Sequence, residues 1–232
     1  MKKSLGILGG MGPQATVDFF QKIIKLSDAT SDAEHLRIYI DNHPQIPDRI
    51  GAILKGIGDP LPALTESLNK LEACGTDIIA IPCVSAHFFL PSLRKAAKSQ
   101  ILDMLELIVQ ACHKHFPGKR AGLLTSVAAA QAGLASKRLE AAGIPTVSPR
   151  PDHQLELGDL ILHVKAKQIE QTLEPFKTIT AEMHKRGADY FVLGCTELPI
   201  ITQSYDFPYL FLDATHELAR GAIMACGQKI AD

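Results

Sequence analysis

Long apolar runs, blocks of like charge and paired cysteines are all missing from this 232-residue chain. No apolar stretch approaches the ~18 residues that a membrane-spanning helix requires, so no membrane partner is expected. Lysine and arginine number 24 against 25 acidic residues, a formal net charge of −1. With no block of one sign, neither a nucleic-acid surface nor a polybasic membrane patch is expected. The five cysteines (Cys74, Cys83, Cys112, Cys195, Cys226) are odd in number and form no CxxC. That pattern argues against a disulfide framework and fits free thiols in a reducing cytoplasm. His113, His115, His153, His163, His184 and His216 show no metal-ligand spacing with Cys83 or Cys195, so no metal is expected. Met1-Lys2-Lys3 has the basic start of a signal peptide, but Gly6, Gly9, Gly10 and Gly12 interrupt the apolar core such a peptide needs.

What is present is an ordinary globular composition, 46% hydrophobic and 21% charged, arranged as short apolar runs alternating with helical periodicity. Strands are expected at Ser4–Leu8, Leu36–Ile40, Asp77–Ile81 and Ile101–Met104 in the first half, and helices at Gln14–Leu26, Leu61–Cys74 and on to Phe116. His43–Arg49 reads as a proline-marked loop. The second half repeats the order, with strands at Ala121–Leu124, Thr146–Val147, Tyr190–Leu193 and Tyr209–Leu212. Helices follow from Ser126 to near Gly143, at Gln168–Lys185 and at Thr215–Ile230. Gly6 in GILGG and Gly122 in GLLTS stand 116 residues apart, an offset kept across the halves. The expectation is an α/β protein of two pseudo-symmetric lobes, each a parallel sheet flanked by helices. The lobes are placed at residues 1–117 and 118–232, with the closing helix free to pack back on the first. Ligands in such sheets bind beyond the carboxyl ends of the strands, so the site is expected in a cleft between the lobes.

Two stretches share one design. DIIAIPCVSAH at Asp77–His87 and DYFVLGCTELP at Asp189–Pro199 each begin on an acid, run through apolar residues, and place a cysteine at the strand exit. Cys83 and Cys195 are 112 residues apart, close to half the chain. A single free cysteine usually packs as a small hydrophobe, but repeated placement at equivalent strand ends argues for chemistry. Exposed backbone N–H groups at a following helix start would lower a thiol's pKa from about 8.5 and favour thiolate. One thiolate and one thiol then suit proton removal from one face of a carbon and proton return to the other. His87, four residues after Cys83, opens a Cys-His hydrolase reading, for which no orienting residue or oxyanion donor can be named; a capping or packing histidine is the preferred reading. Glu197 reads either as a hydrogen-bonding partner near Cys195 or as a first-turn carboxylate complementing a helix dipole, and the second is preferred. Gly6-x-x-Gly9-Gly10-x-Gly12 is not the dinucleotide fingerprint; it reads as a backbone loop for a small anion at a helix start.

GILGGMGPQAT at Gly6–Thr16, PQIPDR at Pro44–Arg49, IPCVSAH at Ile81–His87 and LGCTELP at Leu193–Pro199 together resemble the aspartate/glutamate racemase family, in order and spacing, over essentially the whole chain. The resemblance implies a cofactor-independent amino-acid racemase, usually a homodimer, with Cys83 and Cys195 as the catalytic pair. It implies that Arg49 receives the substrate α-carboxylate, which a planar guanidinium can hold in bidentate fashion. Lys165, in VKA, matches a family lysine associated with the side-chain carboxylate. Met11, Val84, Ser85, Ala86, Thr125 and Thr196 complete the implied substrate-binding positions.

The chain also departs from the family pattern. Val84 stands where asparagine commonly follows the first cysteine, and Val127-Ala128-Ala129 stand where a Thr/Gly-Thr cluster is typical. Each lost hydrogen bond to a charged ligand group costs roughly 1.5–3 kcal/mol. Aspartate is therefore the default substrate and a less acidic amino acid the alternative. A non-catalytic amino-acid-binding protein of the same fold, or related thiol chemistry on a hydantoin or an unsaturated diacid, also stays open.

Overall fold

The computed structural model describes residues 2–231; Met1, where the signal-peptide reading begins, and Asp232 lie outside them. The chain divides into two compact units, one running to Met104 and resuming at Thr215, the other Leu105–Ala214. The first unit contains β1 (Leu5–Gly9), α1 (Pro13–Leu26), β2 (Ile38–Asn42), α2 (Arg49–Lys55), α3 (Leu61–Ala73), β3 (Ile78–Ala80), a 3-10 turn (Val84–Phe89), α4 (Leu90–Ala96) and β4 (Gln100–Ile101). The second begins within α5 (Met104–His115) and continues through β5 (Ala121–Thr125), α6 (Val127–Ala132), α7 (Ser136–Ala141), β6 (Thr146–Val147) and α8 (Pro151–Lys165). It closes with α9 (Leu173–Lys185), β7 (Tyr190–Gly194), α10 (Leu198–Ser204) and β8 (Phe211–Asp213), after which α11 (Ala214–Ala225) returns the chain to the first unit.

Each unit holds one four-stranded parallel sheet, ordered β2-β1-β3-β4 in the first and β6-β5-β7-β8 in the second. The α/β architecture expected from the alternation is therefore present twice, with the same strand order. β1, β5 and β7 are buried at every residue, as parallel strands covered on both faces must be. Helices cover them through regular stripes: Leu64, Leu68 and Leu71 of α3, and Phe176, Ile179 and Met183 of α9, are all buried. Among the described residues no helix is long and apolar enough to cross a membrane.

The repeated acids prove to be staples at the opposite end of the strand from the cysteines. Asp77 Oδ2 accepts from the Ser4 backbone N–H at 2.8 Å, and Asp189 Oδ2 accepts from the Arg120 N–H at 2.8 Å. In both units the carboxylate that opens the third strand pins the entry to the first. The glycines kept at constant offset also share a role. Gly6 pairs with Ile79 and Gly122 with Phe191, and a Cβ on either would stand 2.7 Å or 2.5 Å from that partner's side chain. Only a bare backbone lets the third-strand side chain lie across the first strand.

Several element boundaries differ from expectation. The loop expected at His43–Arg49 ends in a helix: Asp48 caps α2 by accepting from the Ile50 and Gly51 N–H groups. The single helix expected from Ser126 to Gly143 is two, because Gly133 at φ +65° ends α6. The helix expected from Gln168 begins only at Leu173. No element was expected over α8, whose start is marked by Pro151 at its first position. Its exposed Leu155 and Leu162 blur the buried stripe of Leu157, Leu160, Ile161 and Val164.

Candidate active site

In a parallel sheet whose order is 2-1-3-4, the connections leave the first strand in opposite directions, opening a crevice at the carboxyl ends of strands one and three. In the first unit those ends are the Gly9–Gly12 loop after β1 and Pro82-Cys83-Val84 after β3. In the second they are Thr125-Ser126 after β5 and Cys195-Thr196-Glu197 after β7. Each cysteine thus stands at the switch point of its own sheet.

In the first unit the surroundings of Cys83 are built from backbone constraints and one cation, Arg49. Gly10 lies at φ +91°, and a Cβ there would come within 2.4 Å of the His43 backbone, so glycine is required. Thr16 ties the loop: its hydroxyl accepts from the Gly10 N–H at 2.9 Å and donates to the Gly12 carbonyl at 3.0 Å. This presents Met11 to an apolar cluster that also includes Ile46, Ile81, Cys83 and Ala86. Cys83 is 7% exposed, and Val84 and Ala86 beside it are buried, while Ser85 is half-buried. Arg49 opens α2, which packs against the Val84–Phe89 turn. Its Nη1 donates to the Ile46 and Pro47 carbonyls at 3.1 Å each, while its buried Nε has no partner. A buried donor left over on an anchored guanidinium suits an anionic acceptor.

His87 does not serve as a base for the thiol. Its Nδ1–H donates to the Cys83 carbonyl at 2.9 Å and its Nε2 accepts from the Met104 N–H at 3.1 Å. Both ring nitrogens are consumed by main chain, and burial holds the imidazole below the usual histidine range. The packing alternative is the one the structure adopts, and the Cys-His hydrolase reading loses its base.

The second unit is more polar. Cys195, half-buried, donates its thiol proton to Glu197 Oε2 at 3.1 Å, and the buried Thr196 hydroxyl donates to the same oxygen at 3.3 Å. Lys165, at the end of α8, places Nζ 3.7 Å from Glu197 Oε1. Thr125 pairs in register with Gly194, directly before Cys195, and its carbonyl accepts from Gln154 Nε2 at 2.9 Å. Ser126 is spent on capping α6, where it accepts from the Ala129 N–H.

Two expectations change here. Cys195 was expected to be shifted toward thiolate by a helix start; instead burial, with the adjacent Glu197 carboxylate, pushes its thiol well up, Lys165 opposing. Glu197 was preferred as a carboxylate complementing a helix dipole. It occupies the capping position of α10 but makes no cap bond, and turns to the thiol instead. The structure thus links Lys165, Cys195 and Thr196 through Glu197, and gathers Met11, Cys83 and Ala86 in one cluster with Arg49's helix against their turn. Sequence reading missed Gln154, for which a helix nobody expected left no signal, and Asp41, whose buried Oδ2 at the end of β2 has no hydrogen-bond partner.

Comparison with known proteins bears on the family and the fold. The family model described as Asp/Glu/Hydantoin racemase matches residues 8–222. A broad specificity amino-acid racemase, RacX, of Bacillus subtilis (strain 168) is 27% identical over 227 residues, covering 94% of this chain and 96% of that protein. Among solved structures, the aspartate racemase of Picrophilus torridus superposes with a TM-score of 0.87 at 31% identity, covering 99% of this chain and 96% of its own. An aspartate racemase homologue from Pyrococcus horikoshii OT3 shares the fold at a TM-score of 0.78 and 19% identity, covering 97% of this chain and 99% of that one. Two like sheets with a cysteine at each switch point, and a family match spanning both, place this chain in the Asp/Glu/hydantoin racemase family.

Proposed function

We propose that this protein racemises a free amino acid, with Cys83 and Cys195 as the two proton-transfer groups. The observation that carries the reading is the repeated placement of a cysteine at the carboxyl end of the third strand in two sheets of identical order. In the reaction, a thiolate takes the α-proton, forming S–H and breaking Cα–H, and the electron pair spreads into the substrate carboxylate. The other thiol gives its proton to the opposite face, and the thiolate and thiol exchange places. Arg49 receives the α-carboxylate through the guanidinium edge that carries its unpartnered Nε.

The substrate side chain is proposed to be less acidic than aspartate. Lys165 is already engaged by Glu197, Val84 contributes a buried apolar surface beside Cys83, and a full-length relative is named for broad specificity. Five thiols with no disulfide among them fit a reducing compartment such as the cytoplasm. The homodimer implied by the family resemblance is checked by sedimentation.

The test is a screen of both enantiomers of the common amino acids in D₂O. The active substrate acquires deuterium at Cα while its optical rotation decays, and Cys83→Ala and Cys195→Ala each abolish both signals. Either variant keeping full activity sinks the two-thiol mechanism. Saturable binding of an amino acid with no exchange would establish the binding-protein alternative that Val84 and Val127 motivate.

A further inference from the structure

We propose that Glu197 is a positioning residue for Cys195, holding the proton on its sulfur and aiming the S–H bond, with Lys165 moderating that hold. The proposal deepens the racemase reading but is built on the second unit alone. Four groups meet there. Glu197, 3% exposed, accepts from the Cys195 thiol at 3.1 Å and the Thr196 hydroxyl at 3.3 Å through one carboxylate oxygen. Its other oxygen faces Lys165 Nζ at 3.7 Å.

Helix capping does not explain this carboxylate. Glu197 stands at the capping position of α10 with αR torsions, φ −83° and ψ −27°, and accepts no bond from the helix backbone. A buried carboxylate is costly unless donors and a cation compensate it. Here the compensation comes from the thiol, the neighbouring hydroxyl and a lysine whose side chain is 42% exposed. The thiol is therefore one of the bonds that make a buried Glu197 tolerable, and the relation is reciprocal. Removing the thiol proton would set a second negative charge about 3 Å from the first. The charged groups acting on Cys195 among the described residues are Glu197 and Lys165, and they act in opposite senses.

The consequence for the reaction is a fixed resting assignment. Cys195 waits as the acid, its S–H direction set by Glu197, and becomes a thiolate only transiently after delivering its proton.

The experiment measures thiol reactivity and needs no turnover. Full-length wild type, Glu197→Gln, Glu197→Asp and Lys165→Met are treated with iodoacetamide across pH 6.5 to 10.5, and alkylation of Cys195 is quantified by peptide mass spectrometry. The exposed Cys74 serves as internal reference. Glu197→Gln removes the like charge, so Cys195 alkylation at pH 8 should rise about tenfold relative to Cys74, a change of one pKa unit. Lys165→Met should move it the other way, slowing Cys195 severalfold. Glu197→Asp keeps the charge and should stay nearer wild type than the Gln variant. An unchanged Cys195 profile in Glu197→Gln overturns the proposal, as does Lys165→Met shifting in the same direction. Should Glu197→Gln fail to fold by circular dichroism, the lysine and aspartate variants decide alone. A positive alkylation result with no deuterium exchange would leave the Glu197 assignment standing and defeat the racemase reading, so the two fail separately.

Discussion

Acid should loosen this protein through His87 in a way that can be isolated. The imidazole is 4% exposed, donates from Nδ1 to the Cys83 carbonyl and accepts at Nε2 from the Met104 N–H. Protonation would turn Nε2 into a second donor facing the Met104 N–H donor, at a buried position. Burial accordingly lowers its pKa from the ordinary 6.5, with the Cys83 carbonyl and the Asp103 carboxylate opposing less strongly. The sign follows from linkage. Below pH 6.5 the unfolded chain binds a proton at this position that the folded chain refuses. Stability from His87 is therefore complete above pH 6.5 and falls as pH drops. The slope is at most about 1.4 kcal/mol per pH unit, so the loss between pH 7 and pH 5 reaches about 2 kcal/mol where the folded imidazole stays neutral throughout.

The assay is urea unfolding of wild type and His87→Gln at pH 7.0 and pH 5.0. At pH 7 the variant should be less stable by about 1–3 kcal/mol, because two buried main-chain groups lose a well-placed partner. At pH 5 the gap should narrow by up to about 2 kcal/mol, since glutamine does not titrate. Subtracting the variant removes the contribution of the other eight histidines, nine being present in all. A gap that stays constant or widens on acidification would refute the reasoning, because it would mean that His87 accepts a proton in the folded state.

Three further perturbations test separate parts of the description. Gly122→Ala puts a Cβ 2.5 Å from Phe191 Cδ1, between two fully buried strands, and should cost about 1–3 kcal/mol by overpacking, read as a lower urea midpoint. Asp48→Ala removes the cap of the seven-residue helix that begins with Arg49, so it should cost about 1 kcal/mol in urea unfolding and raise KM more than it lowers kcat. Arg49→Lys keeps the charge but loses the planar fork; a KM raised by about tenfold or more in the racemase assay is expected, and an unaltered KM would remove Arg49 from the site.

Why some of this was legible before the structure and some was not follows from the kind of residue involved. The sheets announce themselves because a parallel strand buried on both faces must be apolar throughout, as LGILG and YFVLG are. Gly6 and Gly122, with Asp77 and Asp189, exposed the repeat because each does a job set by local strand geometry. Cys83 and Cys195 were legible for the same reason. Helix α8 was not, because its apolar residues occur on more than one face and blur the helical period. Missing α8 meant missing Gln154 and left Lys165 without a context, so the ion pair to Glu197 could not be anticipated. The environment of a thiol depends on which side chains from distant segments meet it, and spacing within one segment carries no record of that.

The two sheets are alike, but the sulfurs they carry are not equivalent, and a racemase tolerates that difference for a thermodynamic reason. Two enantiomers in water have the same free energy, so kcat/KM must be equal in the two directions whatever the enzyme does. Asymmetry between the thiols can therefore appear only in how kcat and KM divide, and in which proton transfer limits each direction. Cys83 sits in an apolar cluster with its carbonyl held by His87, whereas Cys195 is hydrogen-bonded to a buried carboxylate with a cation behind it. On the proposed mechanism these are two differently tuned acids acting on one carbon. The duplicated strand order supplies the two positions; on that mechanism the side chains by which the two stretches differ, His87 bonded to Met104 in one unit and Glu197 paired with Lys165 in the other, tune them apart.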